Sequence, residues 1–130
     1  MPKQAILCVD DERSILNSLR TQLKAAFGDA YIYEVAENPE EALEVIEELA
    51  EEGVNITLIV SDWLMPGMKG DEFLIRVHQQ FPEIIKVMLT GQADDAGIQR
   101  AKAEANLQSC LFKPWSEDEL VNTIRASLPN

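Results

Sequence analysis

The chain has 130 residues, of which 46% are hydrophobic, and its 11 lysine and arginine residues against 23 acidic residues give a formal charge of −12. This length suits one domain with one hydrophobic core, and the composition is too apolar for a disordered chain. The negative charge argues against direct binding of nucleic acid or an anionic membrane, because phosphate groups would be repelled. No apolar run approaches the roughly 18 residues of a membrane-spanning helix, so we expect no membrane span. We also expect no signal peptide, because only five apolar residues lie between Gln4 and Asp10.

The first part of the chain predicts a strand, a helix and a second strand. Residues 5–9 form an uninterrupted apolar run bounded by charge, which is typical of a strand covered on both faces. Apolar residues then recur at helical spacing as far as Phe27, and Gly28 ends that pattern. Residues 31–36 alternate enough to predict a strand at an edge of the sheet.

Asn38 and Pro39 mark the start of a second helix, as its cap and its first-turn proline, and Gly53 marks its end. The side chains expected on its inner face are Leu43, Ile46 and Leu49, flanked by Ala42, Val45 and Ala50. Seven glutamates between Glu40 and Glu52 would line its outer face. We expect that acidic run to be solvated surface.

The third strand leads into the central motif of the chain. An apolar run at residues 56–60 ends close to Asp62, and the proline and glycine residues that follow interrupt regular structure. A helical pattern then lies between Gly70 and Phe81, and residues 84–89 predict a fourth strand. Asp62 is therefore expected at the carboxyl end of a buried strand.

The last part of the chain completes a strict alternation of strands and helices. Residues 94–105 form a weaker helical stretch, residues 109–112 a short strand, and Ser116 opens a last helix with the pattern of a capping box. Such alternation calls for a parallel sheet between two layers of helices, joined by right-handed crossovers. The sequence therefore predicts a single α/β domain over residues 1–130. Of the common doubly wound arrangements, we expect the flavodoxin-like (βα)5 three-layer sandwich with strand order 2-1-3-4-5.

Polar side chains follow four of the five predicted strands: Asp10 and Asp11 after the first, Asp62 after the third, Thr90 after the fourth and Lys113 after the fifth. The first and third strands are neighbours in this order, so the three aspartates converge at one edge of the sheet. Two carboxylates about 4 to 5 Å apart repel by roughly 3 to 4 kcal/mol at an effective dielectric near 20. A divalent cation offsets that repulsion, and ligands made only of hard oxygen atoms favour Mg²⁺ or Mn²⁺ over Zn²⁺.

Thr90 and Lys113 would flank these acids from the other side of the site. A hydroxyl group and an ammonium group there can bind the oxygen atoms of a phosphoryl group, which leaves the Asp62 carboxylate as the nucleophile. Phosphoryl transfer requires the protein mainly to position the reactants and to stabilise negative charge. The pattern therefore predicts a site that forms an acyl phosphate.

Four short motifs surround the site residues: Val9-Asp10-Asp11-Glu12, Asp62 with Met65-Pro66-Gly67-Met68-Lys69-Gly70, Leu89-Thr90-Gly91, and Lys113-Pro114. With these motifs the chain resembles the receiver domain of two-component response regulators over essentially its whole length. The resemblance implies that Asp62 is the phosphoacceptor, and that Thr90 and Lys113 bind the phosphoryl oxygens. The metal ligands that it implies are Asp62, Asp11 directly, Asp10 through water, and the backbone carbonyl of Leu64.

The same resemblance implies a signalling domain rather than an enzyme. It would accept its phosphoryl group in the cytoplasm, from a sensor histidine kinase or a histidine phosphotransfer protein. The face formed by the fourth helix, the last strand and the last helix would then contact a second copy of the chain or an effector domain. This assignment of the face follows from family analogy alone.

Two positions depart from the pattern of that family. Cys110 stands three residues before Lys113, where the family has an aromatic residue that couples to the threonine. We therefore expect output to use movement of Thr90, the fourth helix or a bulky group such as Trp115. Leu64 replaces a residue that is often polar, so we predict a longer-lived phosphoryl group than with asparagine; an unchanged decay rate in Leu64→Asn would reject this.

Three other interpretations of the site can be compared with particular residues of the sequence. A receiver-like module that signals without phosphate is favoured by Cys110 and disfavoured by the presence of the whole site. A metal-dependent phosphatase that forms an aspartyl phosphate usually carries a second acid where this chain has Leu64. A nucleotide-dependent oxidoreductase lacks its glycine-rich turn, and the acidic residues after the first strand would repel a pyrophosphate.

The remaining reactive or aromatic side chains have simpler predicted roles. Cys8 and Cys110 lie in apolar runs, which suits buried thiols in a reducing compartment better than a disulfide or metal site. We expect Trp63 and Trp115 to be packing residues near loops. His78 is expected at the surface of its helix.

Overall fold

The computed structural model of the protein describes residues 4–63, 65, 67–91 and 95–128. Its strands are β1 (Gln4–Val9), β2 (Ile32–Ala36), β3 (Asn55–Asp62), β4 (Ile85–Thr90) and β5 (Ser109–Phe112). Its helices are α1 (Arg13–Phe27), α2 (Pro39–Glu51), α3 (Gly70–Gln80), α4 (Asp95–Glu104) and α5 (Glu117–Ser127), with a 3₁₀ turn at Gly28–Ala30. All strands pair in parallel in the order β2-β1-β3-β4-β5, which confirms the predicted flavodoxin-like topology.

The sheet separates two hydrophobic cores, rather than the single core expected from the length, because successive residues of a strand point to opposite faces. In β1, Ile6 and Cys8 belong to the core that contains the inner faces of α1 and α5. Leu7 and Val9 belong to the other core, which contains inner-face residues of α2, α3 and α4. The uninterrupted apolar run of β1 is thus explained by burial on both faces of the sheet.

Local signals set the ends of several helices where the sequence predicted them. The side chain of Asn38 accepts a hydrogen bond of 2.8 Å from the backbone N–H of Glu41 at the start of α2. Ser116 accepts a bond of 3.1 Å from the N–H of Glu119 at the start of α5. These caps satisfy backbone donors that have no partner within the helix.

The inner face of α2 differs from the prediction. The buried residues of this helix include Ala42, Ile46 and Leu49, whereas Leu43 is only half-buried and Ala50 is exposed. Ala42, Ile46 and Leu49 are four and three residues apart and so form one face of the helix. This face puts the small side chain of Ala42 against the sheet and leaves Leu43 at the margin of the core. The rotation of the helix about its axis is set by packing, and apolar periodicity alone left two adjacent stripes open.

Cys8 is buried, Cys110 is half-buried, and both thiols are free. Burial raises the pKa of Cys8 to about 12, so this thiol is protonated at neutral pH. His78 is half-buried rather than on the open surface, and its Nδ1 lies 2.8 Å from Nζ of Lys86. Within the described residues, no helix is both long and apolar enough to cross a membrane.

Candidate functional site

The strand register brings the predicted site residues to one edge of the sheet. Val9, which precedes Asp10, pairs with Ser61, and Asp62 pairs with Leu89. Thr90 is buried at the end of β4 and pairs with Phe112, the residue before Lys113. Since all strands are parallel, the side chains that follow them share the crevice at the carboxyl edge.

Asp10, Asp11 and Asp62 form a compact acidic cluster. One carboxylate oxygen of each residue can be chosen so that all three lie within 4.8 Å of one another. Asp10 and Asp62 are 0% and 6% exposed, whereas Asp11 faces solvent. Opposite ligands of an octahedral Mg²⁺ are about 4.2 Å apart, so a hard divalent cation matches both the spacing and the chemistry of these oxygens.

The ammonium group of Lys113 lies between the two buried carboxylates. Its Nζ donates hydrogen bonds of 3.0 Å to Oδ1 of Asp62 and 3.2 Å to Oδ2 of Asp10. The backbone N–H of Lys113 donates to the carbonyl of Thr90 at 2.8 Å, which fixes where the side chain leaves the chain. The peptide bond that follows, to Pro114, is cis.

Burial dominates the proton affinities of this cluster. It raises the pKa of Asp62 above 3.8, although the hydrogen bond and charge of Lys113 oppose the shift. It also raises the pKa of Asp10; the hydrogen bond from the Glu12 N–H opposes this, and the Asp62 carboxylate adds to it. Burial alone would lower the pKa of Lys113, but the adjacent carboxylates, Asp62 first, raise it overall. A divalent cation would favour the ionised form of both buried acids.

Gly70 holds the loop after β3 against the strand end, a role that sequence reasoning did not assign to it. Its N–H donates to the carbonyl of Trp63 at 2.7 Å. A Cβ atom at this position would overlap the backbone carbonyl of Asp62 and lie 2.9 Å from Cα of Trp63. The available signal was the glycine itself, at the start of a helix, where an absent side chain permits close approach of backbones.

Comparison with known proteins places this geometry in a family. The family model described as response regulator receiver domain matches residues 6–125. The chain belongs to the response regulator receiver family. The hydrogenase transcriptional regulatory protein HoxA of Cupriavidus necator is 31% identical over 127 residues, which are 97% of this chain and 24% of that protein. This receiver domain thus spans about a quarter of the length of that relative.

Solved structures of receiver domains have the same fold. The signal receiver domain of an HD domain-containing protein from Pseudomonas fluorescens Pf-5 superposes with a TM-score of 0.84 at 29% identity, covering 98% of this chain and 94% of that one. The beryllofluoride-activated NtrC4 receiver domain, a dimer in solution, gives a TM-score of 0.81 at 27% identity, covering 97% and 96%. The acidic cluster and Lys113 lie at the carboxyl edge of this shared fold.

Two features of this receiver domain bear on how a signal would leave the site. Cys110, at the position where an aromatic residue was expected, is half-buried and packs against the core on the α2, α3 and α4 side of the sheet. Trp115 is half-buried on the other side, where its Nε1 donates to Oε1 of Gln22 in α1 at 3.1 Å. The predicted contribution of the Leu64 carbonyl falls outside the described residues.

Proposed function

We propose that Asp62 accepts a phosphoryl group from a histidine kinase or a histidine phosphotransfer protein, and that Mg²⁺ is bound by Asp10, Asp11 and Asp62. The observation that carries this proposal is the Lys113 ammonium group held within 3.2 Å of two buried carboxylates at the ligand-binding edge of the sheet. Membership of the receiver family supports the same function. Mn²⁺ meets the same requirement for hard oxygen ligands.

Each side chain has a distinct part in the proposed transfer. An oxygen of the Asp62 carboxylate attacks phosphorus, the P–N bond to the donor imidazole breaks, and the imidazole keeps the electron pair. Lys113 moves its hydrogen bond from Asp62 Oδ1 to a phosphoryl oxygen, and the Thr90 hydroxyl binds another. A bound Mg²⁺ supplies positive charge that offsets the carboxylates and the phosphoryl oxygens. The chain thereby positions the reactants and stabilises charge, as phosphoryl transfer requires.

Intact-mass analysis after incubation with acetyl phosphate and Mg²⁺ tests this proposal directly. We expect wild type to gain one phosphoryl group, and Asp62→Asn or addition of EDTA to prevent the gain. Asp29→Asn, at an exposed acid of the 3₁₀ turn, is the matched control and should gain the group normally. A folded wild type that binds Mg²⁺ and gains no mass would refute the proposal and favour a phosphate-independent module.

We also propose that residues 1–130 act as one receiver unit in the cytoplasm, and that α4, β5 and α5 form its contact face for a second copy or an effector domain. Two free thiols support the cytoplasmic location, because disulfides are rare in that reducing compartment. Phe112 in β5 supports the face, because it is 59% exposed and is the exposed large hydrophobic residue among those described. Size-exclusion chromatography with light scattering should detect association after phosphorylation, and Phe112→Ser should weaken it. Equal association in both proteins would contradict this face.

A further inference from the structure

Trp63, the residue directly after Asp62, has a fixed backbone. Its N–H donates to the carbonyl of Leu89 at 2.9 Å, and its carbonyl accepts from the N–H of Gly70 at 2.7 Å. The residue is only 7% exposed. The direction in which its side chain leaves the chain is therefore tied to the strand end that carries Asp62.

The indole ring of Trp63 lies directly against the backbone of α4. A Cβ atom placed on Gly97, in the first turn of that helix, would overlap the indole ring and lie 2.8 Å from Cζ3 and 3.0 Å from Cζ2. The ammonium group of Lys69 lies 5.6 Å from the ring centroid, within the range of a cation–π contact. Among the natural residues only glycine, which lacks a side chain, allows the helix to approach the ring this closely.

The rest of α4 is held by smaller contacts. Its buried side chains further along include Ala101, with Ala105 just beyond its end, and both are fully buried. Arg100 reaches Asp71 in α3 through an ion pair of 3.4 Å, but its side chain is 52% exposed, so this pair contributes little. The indole of Trp63 is therefore a large rigid group at the point where α4 begins.

We infer that Trp63 is a positioning residue that fixes the start of α4 relative to Asp62, and that it transmits the state of Asp62 to that helix. This inference rests on the proposed function of Asp62 as phosphoacceptor. A shift of the strand end on phosphorylation would move the indole, and the contact with Gly97 leaves the ring no room to move without the helix. The indole thus provides a rigid aromatic contact between the Asp62 site and α4. This receiver domain has Cys110 in β5, where an aromatic residue was expected.

Gly97→Ala tests the contact itself, because we expect it to lower the thermal stability, whereas this substitution in a helix usually raises it. Alanine normally stabilises a helix relative to glycine, but here the new Cβ should overlap the indole and lower Tm by about 3 °C or more. In a Trp63→Leu background the overlap disappears, so Gly97→Ala should then leave Tm unchanged or raise it. The neighbouring Ala96, which is exposed, gives the control. Ala96→Gly measures the difference in stability between alanine and glycine in the same helical turn, at an exposed position.

If Gly97→Ala raised the Tm of wild type by as much as Ala96→Gly lowered it, the indole would not restrict this position, and the inference would be wrong. The same conclusion would follow if Trp63→Leu failed to change the effect of Gly97→Ala. Both measurements need neither metal nor phosphate, so they judge the Trp63 contact separately from the proposed function of Asp62.

Transmission is tested by hydrogen exchange of the α4 amides before and after reaction with acetyl phosphate and Mg²⁺, with occupancy of Asp62 measured by intact mass in the same samples. We expect phosphorylation to change α4 exchange in wild type and in Trp115→Leu, which removes the other tryptophan. In Trp63→Leu the change should be lost at equal occupancy. An undiminished change in Trp63→Leu would overturn the inference, whereas absence of phosphorylation in wild type would overturn the proposed function.

Discussion

Lys86 offers a test of how much a buried charge costs this fold. It lies in β4, is 1% exposed, and its Nζ contacts Nδ1 of His78 at 2.8 Å and the carbonyl of Pro82 at 3.4 Å. Burial lowers its pKa from 10.5 to about 8. Among the described residues no carboxylate forms an ion pair with it, so the charged form is poorly compensated.

The free-energy cost follows from this pKa. A tenfold change in proton affinity is worth about 1.4 kcal/mol, so the charged lysine costs the folded state about 3 kcal/mol at neutral pH as an upper bound. Between pH 8 and 10.5 the unfolded chain keeps the proton that the folded chain has released, and the free energy of unfolding therefore rises with pH. Above 10.5 the cost disappears, because the amine is neutral in both states.

Lys86→Met keeps an unbranched side chain, one heavy atom shorter than lysine, and removes the charge. We expect the variant to have a higher free energy of unfolding at pH 7, by about 1 to 3 kcal/mol once the lost hydrogen bonds are subtracted. Its advantage over wild type should shrink by about 2 kcal/mol between pH 7 and pH 9.5. Urea unfolding followed by circular dichroism at a series of pH values measures both quantities.

The matched control is Lys102→Met, since Lys102 is an exposed lysine of α4. It reports the effect of removing one positive charge from a protein whose net charge is −12. Subtracting wild type from each variant at each pH removes the titration of groups that both proteins share. A Lys86→Met protein that is less stable than wild type at pH 7, or whose advantage is independent of pH, would refute the reasoning.

Three further substitutions test the caps and the close packing by urea unfolding. Asn38→Ala should lower the free energy of unfolding by about 1 kcal/mol, because α2 loses its cap; no loss would show that the bond contributes nothing. Tyr33→Phe removes a hydroxyl group that donates to the carbonyl of Gly28 at 2.7 Å, and should cost about 1 kcal/mol. Gly70→Ala should cost about 1 to 3 kcal/mol and slow phosphoryl uptake, because the new Cβ overlaps the Asp62 carbonyl; unchanged stability would contradict that overlap.

The elements of the fold could be predicted because their signals are local. The apolar run of β1, the cap at Asn38 and the start of α5 at Ser116 each depend on residues close together in the chain, and the structure has all three. Strict alternation then restricts the topology to a parallel sheet with right-handed connections. The face of α2 was partly mispredicted, since Leu43 and Ala42 lie on adjacent stripes and packing chose between them.

The amino-acid sequence by itself determined which polar groups meet, because residues that follow parallel strands share one edge of the sheet. Asp10, Asp11 and Asp62 came together for that reason. Only the tertiary structure decided the contacts that depend on how helices sit on the sheet and on each other. The indole of Trp63 against Gly97, and Lys86 against His78, join residues whose spacing in the chain carries no periodic signal. Such contacts are selected by the free energy of close packing over the whole domain, so no local pattern could have indicated them.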